Sequence, residues 1–335
     1  MPNPKRFSWM ASLLVMAVLL CCSGAANPAS ADGQQVTYRL KWLCNMSTVG
    51  DLFAEAQGYF KSEGLTVTIK PGGPERDALR ELELGYADFG AASADQVIRA
   101  LTKGSPVVVV AQLFQVNPLQ WIYRRQNLSI TKLSDLKGKT IGVTFGKNDE
   151  MIFRALLAQA GMDQSEVRLY GVRLDYGPFY KGLVDLWPVY INTQGIEIGE
   201  RLRAAGEPVG FLDPTQYGIR FVANSVVTSQ SMWDKQPDLV KRFVHALLKG
   251  WRQAIDPAHN DLSISIVQRF DRDTEKKVLQ QQLIVTRKLI RPSPGTVVGA
   301  IDEAGWRQTE QIMLDHHQIP APVNVVTHLK PLIAK

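Results

Sequence analysis

The chain is 335 residues long, enough for two compact domains with sizeable cores. Its hydrophobic fraction of 45% and charged fraction of 21% are those of an ordinary globular protein and exclude long disorder. The formal charge of +6 is mild and scattered, which excludes a nucleic-acid binder built on a basic face; the run Tyr123–Arg124–Arg125 reads as a solvated surface.

Lys5 and Arg6, the apolar stretch from Trp9 to Cys22 and the small-x-small Ala29–Ser30–Ala31 make the three parts of an export signal over residues 1–31. The apolar stretch falls short of the roughly 20 residues of a membrane span. Cleavage after Ala31 is the preferred reading; an uncleaved anchor, or lipid attached near Cys21–Cys22, are the alternatives. Cleavage leaves Cys44 as the sole cysteine, so the mature chain has no internal disulfide and relies on its core.

Val36 to Trp42 alternates and is rich in β-formers, which predicts a strand. Asp51 to Lys61 carries apolar residues at helical spacing and ends at Gly64. Leu65–Ile69 is a second strand, 75–84 a helix, and Ala87–Ala92 a short strand. Ser93 or Asp95 then caps a helix through Val97, Ile98 and Leu101. Val107–Leu113 is an apolar, buried strand. A new unit opens at Leu133, with a strand at Thr140–Val143, a polar turn over Gly146–Asp149 and a helix from Glu150 to Ala160. Strands follow at Val167–Val172, Leu186–Ile191 and Val209–Leu212, and Phe221–Thr228 reads as a return crossing. Helices over 233–254, 273–290 and 303–316 complete the chain. This alternation predicts an α/β fold with largely parallel sheets, and such sheets open their clefts beyond the carboxyl ends of the strands.

Catalytic motifs are missing. There is no Gly-x-Ser-x-Gly elbow, no phosphate-cradling Gly-x-x-x-x-Gly-Lys-Ser/Thr and no His-Glu-x-x-His. All five histidines fall in the last third, and the adjacent His316 and His317 diverge on a helix. No catalytic residue, metal or cofactor is therefore expected.

Several segments, in order, resemble a known family. They are Leu40–Lys41–Trp42–Leu43–Cys44–Asn45 with Gly50, the stretch from Gln57 to Leu65, and Gly85–Tyr86–Ala87–Asp88–Phe89–Gly90. Leu133 to Val143, Lys181 to Asp185, Tyr217–Gly218, Asn224 to Ser229 and Pro237 to Trp251 follow. Together, over roughly residues 36–260, they resemble the thiamine-biosynthesis-type branch of periplasmic solute-binding proteins. That branch captures pyrimidine precursors, and its wider relatives bind sulfonates, nitrate or riboflavin. The resemblance implies a two-lobed periplasmic-binding-protein fold of type II kind, each lobe a mostly parallel sheet flanked by helices, with two hinge strands that permit closure. Lobe I is expected over 32–125 and 221–335, and lobe II over 126–220. The chain departs from the pyrimidine binders at Cys44, at Thr48 and at Thr193–Gln194. A fungal branch that makes the pyrimidine itself uses a cysteine-rich motif, of which only Cys44 survives maturation.

A planar heterocycle requires aromatic faces and a few edge hydrogen bonds. Trp42, Asn45 and Asp51 follow the first strand; each also has a plain role in packing, a turn or a helix start. Ser93 and Asp95 serve equally as caps or contacts. In the second lobe the candidates are Gly146, Lys147 and Asn148 at a helix start, then Tyr176, Trp187, Tyr190 and Asn192. Trp187 and Tyr190 alternate imperfectly, so one of them is expected in the core. A sulfonate or other organic anion requires two or more converging basic side chains, and Lys147 is the only obvious one. The expected protein is a monomeric periplasmic receptor for a small heteroaromatic, serving an inner-membrane ABC permease and its ATPase.

Overall fold

The structure, a computed structural model, describes residues 33–73 and 75–333. The export signal expected over 1–31, with Cys21 and Cys22, lies outside the described residues. Ten strands form two five-stranded sheets. They are β1 (Gln34–Arg39), β2 (Leu65–Lys70), β3 (Phe89–Ala92), β4 (Val107–Gln112), β5 (Leu119–Arg124), β6 (Thr140–Val143), β7 (Arg168–Gly171), β8 (Leu186–Tyr190), β9 (Val209–Leu212) and β10 (Ser225–Ser229). The first sheet has the order β2-β1-β3-β10-β4 and the second β7-β6-β8-β5-β9.

The two sheets share one plan. β1 pairs in parallel with β2 and β3, whereas β10 runs antiparallel between β3 and β4. In the second sheet β6 pairs in parallel with β7 and β8, and β5 runs antiparallel between β8 and β9. The two antiparallel strands are the ones that follow the crossings between lobes. One crossing joins β4 to β5 and the other joins β9 to β10. They are stitched together: Leu113 N–H donates to the Asn224 carbonyl at 2.9 Å, and Asn117 Nδ2 donates to the Phe221 carbonyl at 3.0 Å.

Hydrogen bonding puts β5 in the second sheet, whereas the expected boundary at residue 125 would leave it in the first. Its run Tyr123–Arg124–Arg125 is also corrected. Tyr123 and Arg124 are buried, and the Arg124 guanidinium pairs with Glu207 and donates to the carbonyls of Phe179 and Tyr180. A charged side chain is accommodated in that interior because each of its three nitrogens finds an acceptor, one of them a carboxylate. Only Arg125 faces solvent. The helix expected over 51–61 breaks at Gly58, whose φ of 67° suits glycine, into Val49–Ala56 and Tyr59–Ser62. The helix Gln194–Ala204 carries no strong apolar period and was not anticipated.

The first sheet packs against the helices Val49–Ala56 and Pro237–Ala254. Phe243 of the latter stacks on Phe89 with centroids 3.8 Å apart and meets Phe60 and Tyr38 at 5.3 Å. The two helices approach closely because glycines face each other's chain. A Cβ at Gly50 would lie 2.1 Å from the Trp251 ring, and one at Gly250 would lie 2.5 Å from the Gly50 carbonyl. The helix Lys276–Ile290 ties the lobes from outside, where Gln282 Nε2 donates to Glu197 at 2.6 Å.

Candidate functional site

A cavity of about 100 Å³ lies between the lobes, at the carboxyl ends of the parallel strands of both sheets. Lys41 and Trp42 follow β1, Ala91 and Ala92 end β3, Thr144 follows β6, Val172 and Arg173 follow β7, and Tyr190 ends β8; all line it. A wider depression of about 690 Å³ elsewhere is lined by Arg252, Arg287 and Arg291, without an aromatic residue, and stands away from the strand ends.

Seven of the sequence candidates come together on this cavity: Trp42, Asn45, Lys147, Asn148, Tyr176, Trp187 and Tyr190. Trp187 is 2% exposed yet lines it, with Tyr176 edge-on at 5.9 Å. As expected, one of the pair belongs to the core: Trp187 packs with Phe179, Val184 and Val189, and both it and Tyr190 line the cavity. The Tyr190 hydroxyl accepts from Lys41 Nζ at 2.8 Å and donates to Asn224 Oδ1 at 3.3 Å, which joins both lobes and a crossing segment. Asn45 lines the cavity while its side-chain oxygen accepts from the Ser47 N–H at 2.9 Å.

Five candidates stand outside the lining. Asp51 is buried in the first lobe, where its carboxylate accepts from the Tyr38 hydroxyl at 3.0 Å and Trp251 Nε1 at 3.4 Å. Burial pushes this carboxyl up to about 7, although both hydrogen bonds favour the ionised form. Ser93 caps the helix Ala94–Leu101, sharing the Gln96 side-chain oxygen between its N–H and hydroxyl at 3.1 and 3.2 Å. Asp95 is enclosed behind the lining, and burial pushes its carboxyl up to about 6 against the pull of Lys41. Gly146 turns the chain with φ 78°, and its N–H is held by Glu150 at 2.6 Å. Asn192 is wholly buried, donating to Ser47 Oγ at 3.1 Å and Thr286 Oγ1 at 2.9 Å across the lobe boundary. Asp51, Ser93, Gly146 and Asn192 are thus held by structural hydrogen bonds, whereas both Asp95 oxygens are enclosed without a hydrogen-bond partner among the described residues.

The fold adds residues that sequence reading missed. Lys41, Arg76 and Arg173 join Lys147 on the lining, so the expectation of a single basic candidate is corrected. They arise from three separate loops, and no local pattern unites them. Lys41 did have a signal, as the neighbour of Trp42 beyond the first strand. Asp77 and Asp149 also line the cavity, but both are engaged. Asp77 caps the N–H groups of Leu79 and Arg80, and Asp149 accepts from the Thr144 N–H at 2.6 Å. Burial pushes the Asp149 carboxyl up to about 6. Of the positions at which the chain departs from the pyrimidine binders, Thr48, Thr193 and Gln194 line the cavity and Cys44 does not.

The model of a family described as NMT1/THI5 like matches residues 45–259. The chain belongs to the NMT1/THI5-like family. Among members of known kind, it is 27% identical over 346 residues to the riboflavin-binding protein RibY of Chloroflexus aurantiacus, with 93% of each chain covered. It is 24% identical over 317 residues to a formylaminopyrimidine-binding protein of Halalkalibacterium halodurans, covering 92% of this chain and 94% of that one. Among solved structures, the alkanesulfonate-binding protein SsuA of Xanthomonas axonopodis pv. citri superposes with a TM-score of 0.68 at 16% identity, covering 90% and 99%. That likeness carries the fold: this NMT1/THI5-like chain has the two-lobed periplasmic-binding-protein architecture that its motifs implied.

Proposed function

We propose that this chain is the solute-binding component of an ABC importer, acting in the periplasm as a monomer that closes its lobes over one small heteroaromatic molecule. The observation that carries this reading is the cavity itself. Trp42, Tyr176, Trp187 and Tyr190, drawn from the two sheets, all line it. Aromatic faces stack on a flat ligand, and side-chain amides and hydroxyls such as Asn45, Thr48, Thr193 and Gln194 read its edge. The two crossings between the sheets supply the hinge for closure and reopening. Relatives over nearly the whole chain are binding proteins for riboflavin and formylaminopyrimidine, which supports both the role and the flat ligand class. The basic, apolar and small-residue pattern read in the sequence over 1–31 supports export, and no helix among the described residues is long and apolar enough to cross a membrane.

Catalysis on the same scaffold is the second reading, because the family also contains synthases. The lining holds neither cysteine nor histidine. Cys44 lies beside it, where burial and the nearby Asp51 push its thiol up to about 11, away from the reactive thiolate. Recognition rather than bond chemistry is what this set of side chains supplies.

The test is a thermal-shift and calorimetric screen of the chain from Asp32 onward with pyrimidines, flavins and related heterocycles. A ligand present at 100 times its dissociation constant is expected to stabilise the fold by about 2.7 kcal/mol. Trp42→Ala and Tyr190→Ala are each expected to weaken that ligand at least tenfold. Full affinity in both variants, or conversion of a heterocycle during the incubation, refutes the reading.

A further inference from the structure

Four basic side chains face the same small cavity, two from each lobe: Lys41 and Arg76 from the first, Lys147 and Arg173 from the second. The structure satisfies them only in part. Lys147 Nζ reaches the Arg76 carbonyl at 3.3 Å, Arg173 meets Glu75 at 3.1 Å on the exposed rim, and the Arg76 guanidinium has no partner among the described residues. The two carboxylates of the lining are turned to backbone N–H groups, as described above. Lys41 donates to the Tyr190 hydroxyl at 2.8 Å and faces the enclosed carboxylates of Asp95 and Asp149, which leaves Lys147 and Arg76 as the cations of the lining without a carboxylate partner among the described residues.

A second observation points to the same place. Asn148 is the first residue of the twelve-residue helix Asn148–Gln159 and lines the cavity. It is 8% exposed, and its side-chain Nδ2 is enclosed without a hydrogen-bond partner among the described residues. An enclosed donor left unpaired is costly, and an acceptor atom on a ligand relieves that cost. The positive end of the helix adds its field in the same direction.

We infer that the ligand is an aromatic acid, a ring bearing a carboxylate, sulfonate or phosphate group, and that Asn148, Lys147 and Lys41 receive the acidic group while the aromatic walls hold the ring. This rests on the receptor reading above and narrows it.

The test uses matched pairs that differ in charge: nicotinate against nicotinamide, benzoate against benzamide, and riboflavin 5′-phosphate against riboflavin. Binding to the chain from Asp32 onward is read by calorimetry and by tryptophan fluorescence, since Trp42 and Trp187 line the cavity. In at least one pair the acid is expected to bind at least tenfold tighter, with affinity falling as NaCl rises from 20 to 200 mM, about the range over which screening sets in. Lys41→Met and Asn148→Leu should each erase the preference, and Lys41→Arg should retain it; thermal melts report whether each variant is folded. Benzenesulfonate and phenyl phosphate then show which acid the site prefers. Neutral members binding as tightly as the acids overturns the inference and leaves the receptor reading in place. Silence of every pair overturns it too, and a heterocycle bound elsewhere in the wider screen would still keep the receptor.

Discussion

Replacing Asp51 by Asn tests whether this residue belongs to the core rather than to the ligand. Asp51 is 2% exposed, and its carboxyl is pushed up to about 7, whereas an unfolded aspartate titrates near 3.9. Between those values the folded chain holds a proton that the unfolded chain has released. Stability is therefore fully present below about pH 4 and is lost as pH rises to about 7, after which the loss is complete. A difference of about three pH units corresponds to about 4 kcal/mol as an upper bound. Asparagine imitates the protonated acid, and its oxygen accepts from Tyr38 and Trp251 as before. Asp51→Asn should match the wild type in urea denaturation at pH 4 and exceed it by up to about 4 kcal/mol at pH 8. Asp95 and Asp149, both pushed up to about 6, titrate in the same window in both proteins and cancel from the difference. A difference that does not change with pH refutes the reasoning. Lost ligand affinity in Asp51→Asn would return this residue to the site.

Gly50→Ala should destabilise the fold by about 3 kcal/mol, read from the urea midpoint, because its new methyl group meets the buried Trp251 ring at 2.1 Å. A neutral effect would show that the two helices can separate freely. Asn192→Ala removes the buried hydrogen bonds to Ser47 and Thr286 that hold the lobes closed. It should weaken ligand binding by about thirtyfold in calorimetry, in line with about 1 kcal/mol for each of the two bonds; unchanged affinity would mean that these bonds survive in the open form.

Strands were the most legible part of the sequence. Thr140–Val143 and Val209–Leu212 fall where the apolar runs place them, since short β-branched stretches between glycines and prolines admit little else. β5 escaped because Leu119–Arg124 ends in charged residues, and its arginine is tolerated only through partners on distant segments. The aromatic side of the site was readable from Trp42 and Tyr176, which come after strands, and from Trp187 and Tyr190 within one. The charge of the site was not, because Lys41, Arg76, Lys147 and Arg173 converge from four loops. Asp51 and Asn192 show the opposite failure. A polar residue near a strand end looks the same in sequence whether it greets a ligand or fastens two buried segments.

The placement of β4 has a consequence for how the chain assembles. All six of its residues, Val-Val-Val-Val-Ala-Gln, are buried, yet its only strand neighbour is β10, more than a hundred residues further along. Its other edge is covered later still, by a bridge from Val109 to Leu329 and the Lys330 N–H on the Val109 carbonyl. The second sheet is complete once β9 has emerged, so the lobe begun first is finished last. Until β10 and the C-terminal segment arrive, a strongly β-forming apolar stretch stands with both edges open, the form most prone to pair with other chains. Truncation near the C-terminus therefore threatens solubility before it touches the ligand, and a chaperone that shields an extended apolar segment has its natural target at residues 107–112.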